Sequence, residues 1–383
     1  MEAVSRLNIL RPVKRVVVKV GSGVLTETNG LNMSIISDLA SDICVLKKRG
    51  KEIVLVSSGA IAGGLKKMGF SKRPKSVSQQ QAMAAIGQST LMIAYEEAFG
   101  KLGYKVAQIL ATRDDLTNRR RYLNTRNTLF TLLSWDVIPI INENDTVVVD
   151  EIKFGDNDNL SAMITNLSEA HLLVNLTNID GLFDKDPRTN RDARLIPVVE
   201  KTTRKVTEYA SEIPGFLGKG GMGSKVRAAQ KVALRGVPAI IANGLKPHIL
   251  NDLFQGREEG TLFLPKEVPL RSKKHWIAFT KSPKGQIVID HGAEKALVEQ
   301  GKSLLPSGIK EVKGRFSLGN SVLLLNEDGK EIAVGMVNYH SSDIINIMGA
   351  KSSEIESILG FKHDDEVIHR DNLVLIEKLD QGD

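Results

Sequence analysis

Two lysines stand beside small residues in patterns that suit a polyphosphate. Lys19 lies near the end of a valine-rich run and is followed by the small-residue segment 21–23. Lys225 closes a second segment, GKGGMGSK, which leads into a helical pattern. Backbone N–H groups of glycine-rich turns can approach phosphate oxygens, and a lysine adds a positive charge. Two lysines on separate loops could neutralise a phosphate in transfer, so the pair predicts phosphoryl transfer.

Neither segment is decisive by itself. The first is not a GxxxxGK[ST] loop, because Lys19 precedes its glycines, and it is not GxGxxG, because position 26 is Thr. Taken alone, it also describes an ordinary turn after a strand with a surface lysine. The second also describes a flexible linker loop.

Two dense polar clusters are more informative. Four consecutive acidic or amide residues occupy positions 142–145, and four more occupy positions 156–159. The first cluster follows an apolar run and the second precedes a helical pattern, so both should lie at element ends. Such side chains could hold an ammonium group, orient a lysine or contact hydrated Mg²⁺. Turn and capping chemistry is the competing interpretation, since Asp and Asn are common there.

Hydroxyl groups end two other apolar runs. Ser57 and Ser58 are followed by Gly59 and a helical pattern, which suits the binding of a carboxylate at a helix N-terminus. A serine that only caps that helix would give the same sequence. Thr177 and Asn178 follow the run HLLVNLT in the same way.

The elements that must position these residues alternate between strand and helix. Six short apolar runs are continuous rather than alternating, as in strands that are buried on both faces of a parallel sheet. Segments of helical character, such as 34–50, lie between them. This alternation predicts an α/β sandwich whose ligands gather at the carboxyl ends of the strands. The predicted strands are 13–20, 51–58, 104–111, 136–142, 171–177 and 237–243.

The chain of 383 residues is long enough for two domains. Two prolines and a basic cluster around residues 265–275 predict a linker, which gives domains at 1–268 and 269–383. The second domain shows short apolar runs with turn residues between them and little helical pattern. Its segment LNEDGKEIAVG carries a hairpin signal. We therefore predict a small β-rich C-terminal domain.

Charge and composition limit the classes of function. Residues 1–270 carry a net +9 and residues 271–383 a net −2, so the first domain suits an anionic substrate or a nucleotide. A moderately basic solvated surface would give the same count. No signal peptide or membrane span is expected, and the single cysteine, Cys44, excludes an internal disulfide. These features predict a cytoplasmic protein.

Together these motifs resemble the glutamate-phosphorylating branch of the amino acid kinase family. The resemblance extends from about residue 14 to about residue 370, and the pair INENDTV and GDNDNLSA is its most specific part. It implies an open αβα sandwich with a mainly parallel sheet of about eight strands, followed by a PUA-like barrel. It also implies ATP-dependent phosphorylation of the γ-carboxylate of L-glutamate to L-glutamyl 5-phosphate, the first step of proline biosynthesis.

The resemblance assigns roles residue by residue. It implies catalytic roles for Lys19, Asp158 and Lys225, and no protein ligand for a metal. The substrate-binding positions that it implies are Ser58, Asn142, Asp145 and Asn157. The implied nucleotide-binding positions are Lys19, Thr177, Asn178, Lys219, Gly220, Gly221, Met222, Gly223, Ser224 and Lys225. Two positions depart from the pattern: Asn178 stands where relatives often have Asp, and Lys219 where they often have Thr.

The resemblance also implies ATP and Mg²⁺ as co-substrates, feedback inhibition by proline and a homo-oligomer, either dimer or tetramer. RNA is not an expected partner, because the C-terminal domain lacks the basic balance that phosphate backbones require. Two rival interpretations remain at this point. One is a related kinase for another carboxylate or a carbamate. The other is an RNA-binding or regulatory protein with a degenerate kinase domain, against which the intact Lys19, Asp158 and Lys225 argue.

Overall fold

The computed structural model describes residues 6–27, 30–147, 157–201, 204–211, 221–266 and 283–376. The chain forms two compact units, Met1–Glu267 and Val268–Asp383. Most of the predicted linker lies outside the described residues, and the domain limits 1–268 and 269–383 remain a prediction. Within the described residues, no helix is long and apolar enough to cross a membrane.

The first unit is built on an eight-stranded sheet with the order β5-β6-β4-β1-β7-β9-β10-β8. Neighbouring strands pair in parallel except β9 and β10, so the predicted mainly parallel sheet is confirmed. A separate two-stranded ribbon joins β2 and β3. The strands are β1 Arg15–Val20, β2 Thr26–Glu27, β3 Gly30–Leu31, β4 Glu52–Ser57, β5 Val106–Ala111, β6 Ile138–Glu143, β7 Leu172–Thr177, β8 Val198–Val199, β9 Ala239–Asn243 and β10 Thr261–Phe263.

Helices cover both faces of this sheet, as the predicted αβα sandwich requires. The helices are α1 Arg6–Leu10, α2 Ser22–Leu25, α3 Met33–Lys48, α4 Ala60–Lys67, α5 Val77–Gly100, α6 Arg113–Thr117, α7 Arg119–Ser134, α8 Asn157–Leu167, α9 Arg204–Ser211, α10 Met222–Ala233 and α11 Ile249–Phe254. Apolar side chains of α3, α5 and α11 form one core layer with Val16, Val18 and Val20. Side chains of α7, α8 and α10 form the other with Val17.

The continuous apolar character of the strands follows from this arrangement. Successive side chains of β1 point to opposite faces, and each face has its own helical layer to pack against. One polar residue interrupts the pattern: Lys19 lies on the same face as Val17, towards α8 and α10, and it is buried. A buried lysine needs a partner, because an unpaired charge is costly to remove from water.

The second unit contains a five-stranded sheet with the order β12-β11-β13-β14-β15. Its strands are β11 Gln286–Ile289, β12 Ile309–Lys313, β13 Ser321–Leu325, β14 Glu331–Met336 and β15 Leu373–Leu375. The predicted hairpin joins β13 and β14 around Gly329, whose positive φ of 78° suits a glycine. Within the described residues of this unit, three helices pack on its core, which is more helix than the sequence pattern indicated: α12 His291–Val298, α13 Ser341–Ile347 and α14 Ile355–Leu359.

Candidate active site

Four neighbouring parallel strands bring their carboxyl ends to one edge of the first sheet. These strands are β6, β4, β1 and β7, and each ends in or next to a residue singled out from the sequence. Strand β1 places Lys19 one residue before its end, and β4 is followed by Ser58. Strand β6 ends with Asn142 and Glu143. These residues therefore lie at the same edge of the sheet, where the carboxyl ends of the parallel strands meet.

Asp158 joins the two lysines at this edge. Its Oδ1 lies 2.6 Å from Lys19 Nζ, and its Oδ2 lies 3.2 Å from Lys225 Nζ. All three side chains are buried, with at most 8% of any of them exposed. We refer to Lys19, Asp158 and Lys225 as the charged cluster. One carboxylate between two ammonium groups leaves the cluster with a net positive charge, which suits an anion.

Further hydrogen bonds hold Asp158 in place. Asn175 Nδ2 donates to Oδ1 at 3.0 Å, and Ser224 Oγ donates to Oδ2. Burial by itself would raise the pKa of Asp158, but the charges of Lys19 and Lys225 and the hydrogen bonds from Lys19 and Ser224 together hold it well below its ordinary value. The carboxylate is therefore ionised at every pH at which the protein would work.

Three helix N-termini face this cluster. Asn157 and Asp158 begin α8, Lys225 lies in the first turn of α10, and Ser58 lies just before α4. The N-terminus of a helix carries a partial positive charge and free N–H groups, so it attracts anions. These termini add to the excess charge of the lysines. The arrangement is therefore that of a site for phosphate or carboxylate groups.

A chain of neutral side chains lies next to the charged cluster. Asn157 Nδ2 donates to Ser58 Oγ at 2.9 Å and to Asn142 Oδ1 at 2.9 Å. Asn142 Nδ2 donates to Gln88 Oε1 at 2.8 Å. We refer to Ser58, Gln88, Asn142 and Asn157 as the amide network. It joins the two polar clusters of the sequence, which are separated along the chain, in one buried structure.

Ser58 does not act as a helix cap. Gly59 is the N-cap residue of α4, in a left-handed conformation with φ 109°, and no side chain caps this end. The hydroxyl of Ser58 instead accepts the hydrogen bond from Asn157. The capping interpretation of this serine is therefore wrong, and its side chain is part of the amide network.

Close packing of α4 against α5 brings Gln88 to the network. A Cβ atom on Gly87 would collide with the backbone oxygen of Ala60, and one on Gly64 would collide with that of Met83. The two helix backbones therefore touch, as only glycine permits. Gln88 follows Gly87 and is carried to the carboxyl edge of the sheet by this contact.

Asp145 lies two residues beyond the end of β6 and is half-buried. Burial raises the pKa of this carboxyl group to about 6, although the charge of Arg73 lowers it somewhat. A carboxylate whose charge is held at such a cost gains from a cationic partner. The charged form of Asp145 would therefore be stabilised by a cationic group nearby.

The predicted nucleotide side is only partly described. Thr177 ends β7, and the neighbouring Asn178 lies beside Gly23, where an added Cβ would meet its side chain at 3.5 Å. The segment 22–25 is a one-turn helix, α2, rather than a simple turn. An added Cβ on Gly21 would lie 3.4 Å from Lys19 Nζ, so the glycine leaves space around that ammonium.

The glycine-rich loop ends in helix α10. Gly221 is the N-cap residue of this helix, and Met222, Gly223 and Ser224 form its first turn ahead of Lys225. Ser224 Oγ also lies 2.8 Å from the backbone oxygen of Gly221. The predicted positions Lys219 and Gly220 lie outside the described residues, as does Asp156 of the second polar cluster.

Comparison with known proteins decides the family. The amino acid kinase family matches residues 14–243, and the PUA domain matches residues 285–359. Glutamate 5-kinase of Geobacter sulfurreducens is 55% identical over 372 residues, which cover 97% of this chain and 100% of the relative. The enzymes of Geobacter metallireducens and Syntrophus aciditrophicus are 56% and 53% identical, over 97% and 98% of this chain and 100% and 97% of the relatives. The chain belongs to the glutamate 5-kinase family.

Membership of the glutamate 5-kinase family agrees with the fold and with the resemblance found in the sequence. The αβα sandwich and the separate β-rich PUA domain are both confirmed. Among solved structures, carbamate kinase from Giardia lamblia bound to AMP-PNP matches with a TM-score of 0.49 and 16% identity, over 67% of this chain and 99% of that chain. That likeness adds nothing to the assignment of the glutamate 5-kinase family.

The structure brings the central predicted residues together but does not test their roles. Lys19, Asp158 and Lys225 meet in the charged cluster, and Ser58, Asn142 and Asn157 meet in the amide network. Two residues that hydrogen-bond with these groups were not predicted from the sequence. Asn175 is an amide residue inside the otherwise apolar, buried stretch 172–176 of β7, a signal that could have identified it. Gln88 lies in a helix with several other glutamines, and nothing in the sequence distinguishes it from them.

Proposed function

We propose that this chain catalyses ATP-dependent phosphorylation of the γ-carboxylate of L-glutamate to L-glutamyl 5-phosphate. The observation that carries the proposal is the link of Lys19 and Lys225 through Asp158, which holds two positive charges at one point of the sheet edge. Phosphoryl transfer requires mainly positioning and electrostatic stabilisation, and this cluster provides both before a substrate arrives. Its 55% identity to a glutamate 5-kinase supports the choice of acceptor.

The reaction needs no general base from the protein. The γ-carboxylate of glutamate is already ionised at pH 7, so it can attack the γ-phosphorus of ATP directly. The bond from this phosphorus to the bridging oxygen breaks, and ADP leaves with the electron pair. Lys19 and Lys225 neutralise the charge on the transferring phosphoryl oxygens. Asp158 keeps both ammonium groups in position and does not exchange a proton, because its pKa is held too low.

We propose that Mg²⁺ enters as part of the nucleotide substrate. No group of three or more His, Cys, Asp or Glu side chains that could hold a metal occurs within the described parts of the chain. Both oxygens of Asp158 already accept hydrogen bonds from protein donors. The side chains at the site therefore fit an Mg²⁺ ion that is held by the phosphates of ATP, which is the usual way in which kinases bind Mg²⁺. The ion would supply charge neutralisation on those phosphates.

The amide network and Asp145 would bind the amino acid. We propose that Asp145 pairs with the α-ammonium group, because burial makes its charge costly without a cation. Asn157 donates to Ser58 Oγ and holds this serine next to the charged cluster, so that the hydroxyl hydrogen of Ser58 would orient the γ-carboxylate towards the lysines. Thr177, Asn178 and residues 219–225 would contact the nucleotide. These roles are supported by position and by the family resemblance.

The test is ATP consumption with Mg²⁺ in the presence of hydroxylamine, which traps an acyl phosphate as its hydroxamate. L-Glutamate is compared with N-acetylglutamate, L-aspartate and carbamate. We expect turnover and hydroxamate with L-glutamate alone. Turnover only with another acceptor would overturn the choice of substrate, and no turnover with any of them would overturn the enzymatic assignment.

Three further properties are proposed on the family resemblance alone. They are inhibition by proline, assembly into dimers or tetramers and a cytoplasmic location. Proline added to the same assay tests the first, and light scattering of the purified protein tests the second. An activity that proline leaves unchanged would contradict the proposed inhibition. A monomer at assay concentration would contradict the proposed assembly.

A further inference from the structure

Gln88 is a buried glutamine with an unused hydrogen-bond donor. Its Oε1 accepts from Asn142, whereas its Nε2 has no hydrogen-bond partner although it is shielded from solvent. The residue is only 9% exposed. A buried donor without an acceptor costs about 1–3 kcal/mol, so a ligand that supplies an acceptor at this point would be stabilised by it.

The orientation of this amide is fixed by the network rather than chosen freely. The backbone N–H of Glu143 donates to Asn142 Oδ1 at 2.8 Å, and this donor cannot reverse its role. Asn142 must therefore present its oxygen on that side and its Nδ2 towards Gln88. Gln88 must in turn present Oε1 to Asn142. The two hydrogens of Gln88 Nε2 are consequently left for an acceptor that the described residues do not supply.

A second unused group lies in the same network. Asn157 Nδ2 faces the backbone oxygen of Ser57 at 3.1 Å, which is an obligate acceptor, so the orientation of Asn157 is fixed as well. Its Oδ1 is buried without a hydrogen-bond partner. The network thus offers one spare donor and one spare acceptor. A free amino acid carries the complementary pair, a carboxylate that accepts and an ammonium group that donates.

We infer that Gln88 Nε2 donates a hydrogen bond to the α-carboxylate of the amino acid substrate and so helps to select it. The inference rests on the proposed function, which places the γ-carboxylate at Lys19 and Lys225. Gln88 is two hydrogen bonds removed from Asn157, the neighbour of Asp158. It would therefore contact the end of the substrate that is remote from the phosphoryl group.

Two substitutions separate this role from mere support of Asn142. Gln88→Glu keeps an oxygen that can accept from Asn142 but replaces the spare donor with an acceptor. Gln88→Met keeps the length of the side chain and removes both functions. We expect both variants to raise the KM for L-glutamate at least about tenfold, the scale of a hydrogen bond to a charged group, while kcat and the KM for ATP stay within about twofold.

The matched controls are Gln79→Glu and Gln79→Met, at an exposed glutamine of the same helix. They should leave all three constants unchanged. Thermal unfolding of each variant separates a binding defect from a folding defect. Wild-type protein that makes hydroxamate from glutamate, together with Gln88 variants of unchanged KM, would overturn this inference alone. Inactive wild-type protein would instead overturn the proposed function.

A substrate analogue identifies the group that is contacted. L-Isoglutamine has the α-carboxylate of glutamate replaced by a carboxamide, which can donate to the carboxylate introduced by Gln88→Glu. We expect that variant to lose its preference for L-glutamate over L-isoglutamine by at least about tenfold relative to wild type. A near-normal Gln88→Glu variant beside an impaired Gln88→Met variant would mean that Gln88 only orients Asn142. An unchanged preference between the two substrates would exclude the α-carboxylate.

Discussion

The charged cluster and the amide network lie side by side, yet they are built on opposite principles. In the cluster, Asp158 is fully engaged by two lysines, Asn175 and Ser224, and its pKa is held low. The network consists of neutral groups and keeps a donor on Gln88 and an acceptor on Asn157 unused. The two regions meet within one turn of α8, at Asn157 and Asp158.

This difference indicates a division of labour. A cluster of charges that is fixed in advance stabilises a developing charge without reorganisation, which is what a phosphoryl transition state requires. Neutral groups with unmet hydrogen bonds discriminate between ligands, because a ligand that lacks the matching group leaves them unpaired. The cluster should therefore determine the rate of the chemical step, and the network should determine which amino acid binds.

The largest expected effect is on the charged cluster. Lys19→Met and Lys225→Met should each lower kcat by about 10³-fold, or about 4 kcal/mol, because each removes one charge from the transferring phosphoryl group. Hydroxamate formation at saturating glutamate and ATP measures this loss. Lys48→Met, an exposed lysine of α3, is the control and should keep wild-type turnover. Retained turnover in either test variant would break the assignment of the cluster to phosphoryl transfer.

A somewhat smaller effect is expected on stability. Asp158→Asn keeps a side chain that can form hydrogen bonds with Asn175 and Ser224. It removes the negative charge that compensates the two buried lysines, so that their positive charges repel each other. We expect the free energy of unfolding of the first unit to fall by about 3 kcal/mol. Asp136→Asn makes the same chemical change in the ion pair with Lys47, at 2.6 Å, where the carboxylate is 78% exposed, and it should cost less than about 1 kcal/mol.

Urea unfolding followed by circular dichroism compares these two variants. Equal losses of stability in Asp158→Asn and Asp136→Asn would mean that the buried cluster carries no special electrostatic weight. The claim that the charged cluster is electrostatically different from an ordinary ion pair would then be contradicted.

The residues of the charged cluster could be predicted because each of them stands out in the sequence. Lys19 is a charged residue near the end of a valine-rich strand, and Asp158 lies in a run of consecutive polar residues. The rule that ligands gather at the carboxyl ends of parallel strands predicted the edge of the sheet at which they meet. The amide network was recovered in part, since Asn142 and Asn157 fall in dense polar clusters.

Gln88 could not be found in that way. Its place depends on the contact between the α4 and α5 backbones at Gly64 and Gly87, a long-range packing event that no local pattern encodes. The role of Ser58 was open for a related reason. A serine before a helix looks the same whether it caps that helix or accepts from Asn157, and only the tertiary structure separates the two.

The smallest expected effect concerns pH and the ammonium group of the substrate. Burial raises the pKa of Asp145 to about 6, so the free protein loses this charge below that pH. We expect kcat/KM for L-glutamate to fall about tenfold per pH unit below about pH 6. Asp145→Asn should raise the KM and flatten this part of the profile. An inflection that persists in Asp145→Asn would assign the titration to another group.

The most direct test of the division of labour uses two adjacent residues of α8. Steady-state kinetics are compared for Asn157→Ala, in the amide network, and Asp158→Asn, in the charged cluster, at a temperature where both remain folded. We predict that Asn157→Ala chiefly raises the KM for L-glutamate, whereas Asp158→Asn chiefly lowers kcat. If both variants change the same constant in the same proportion, the two regions act as one and the account is contradicted.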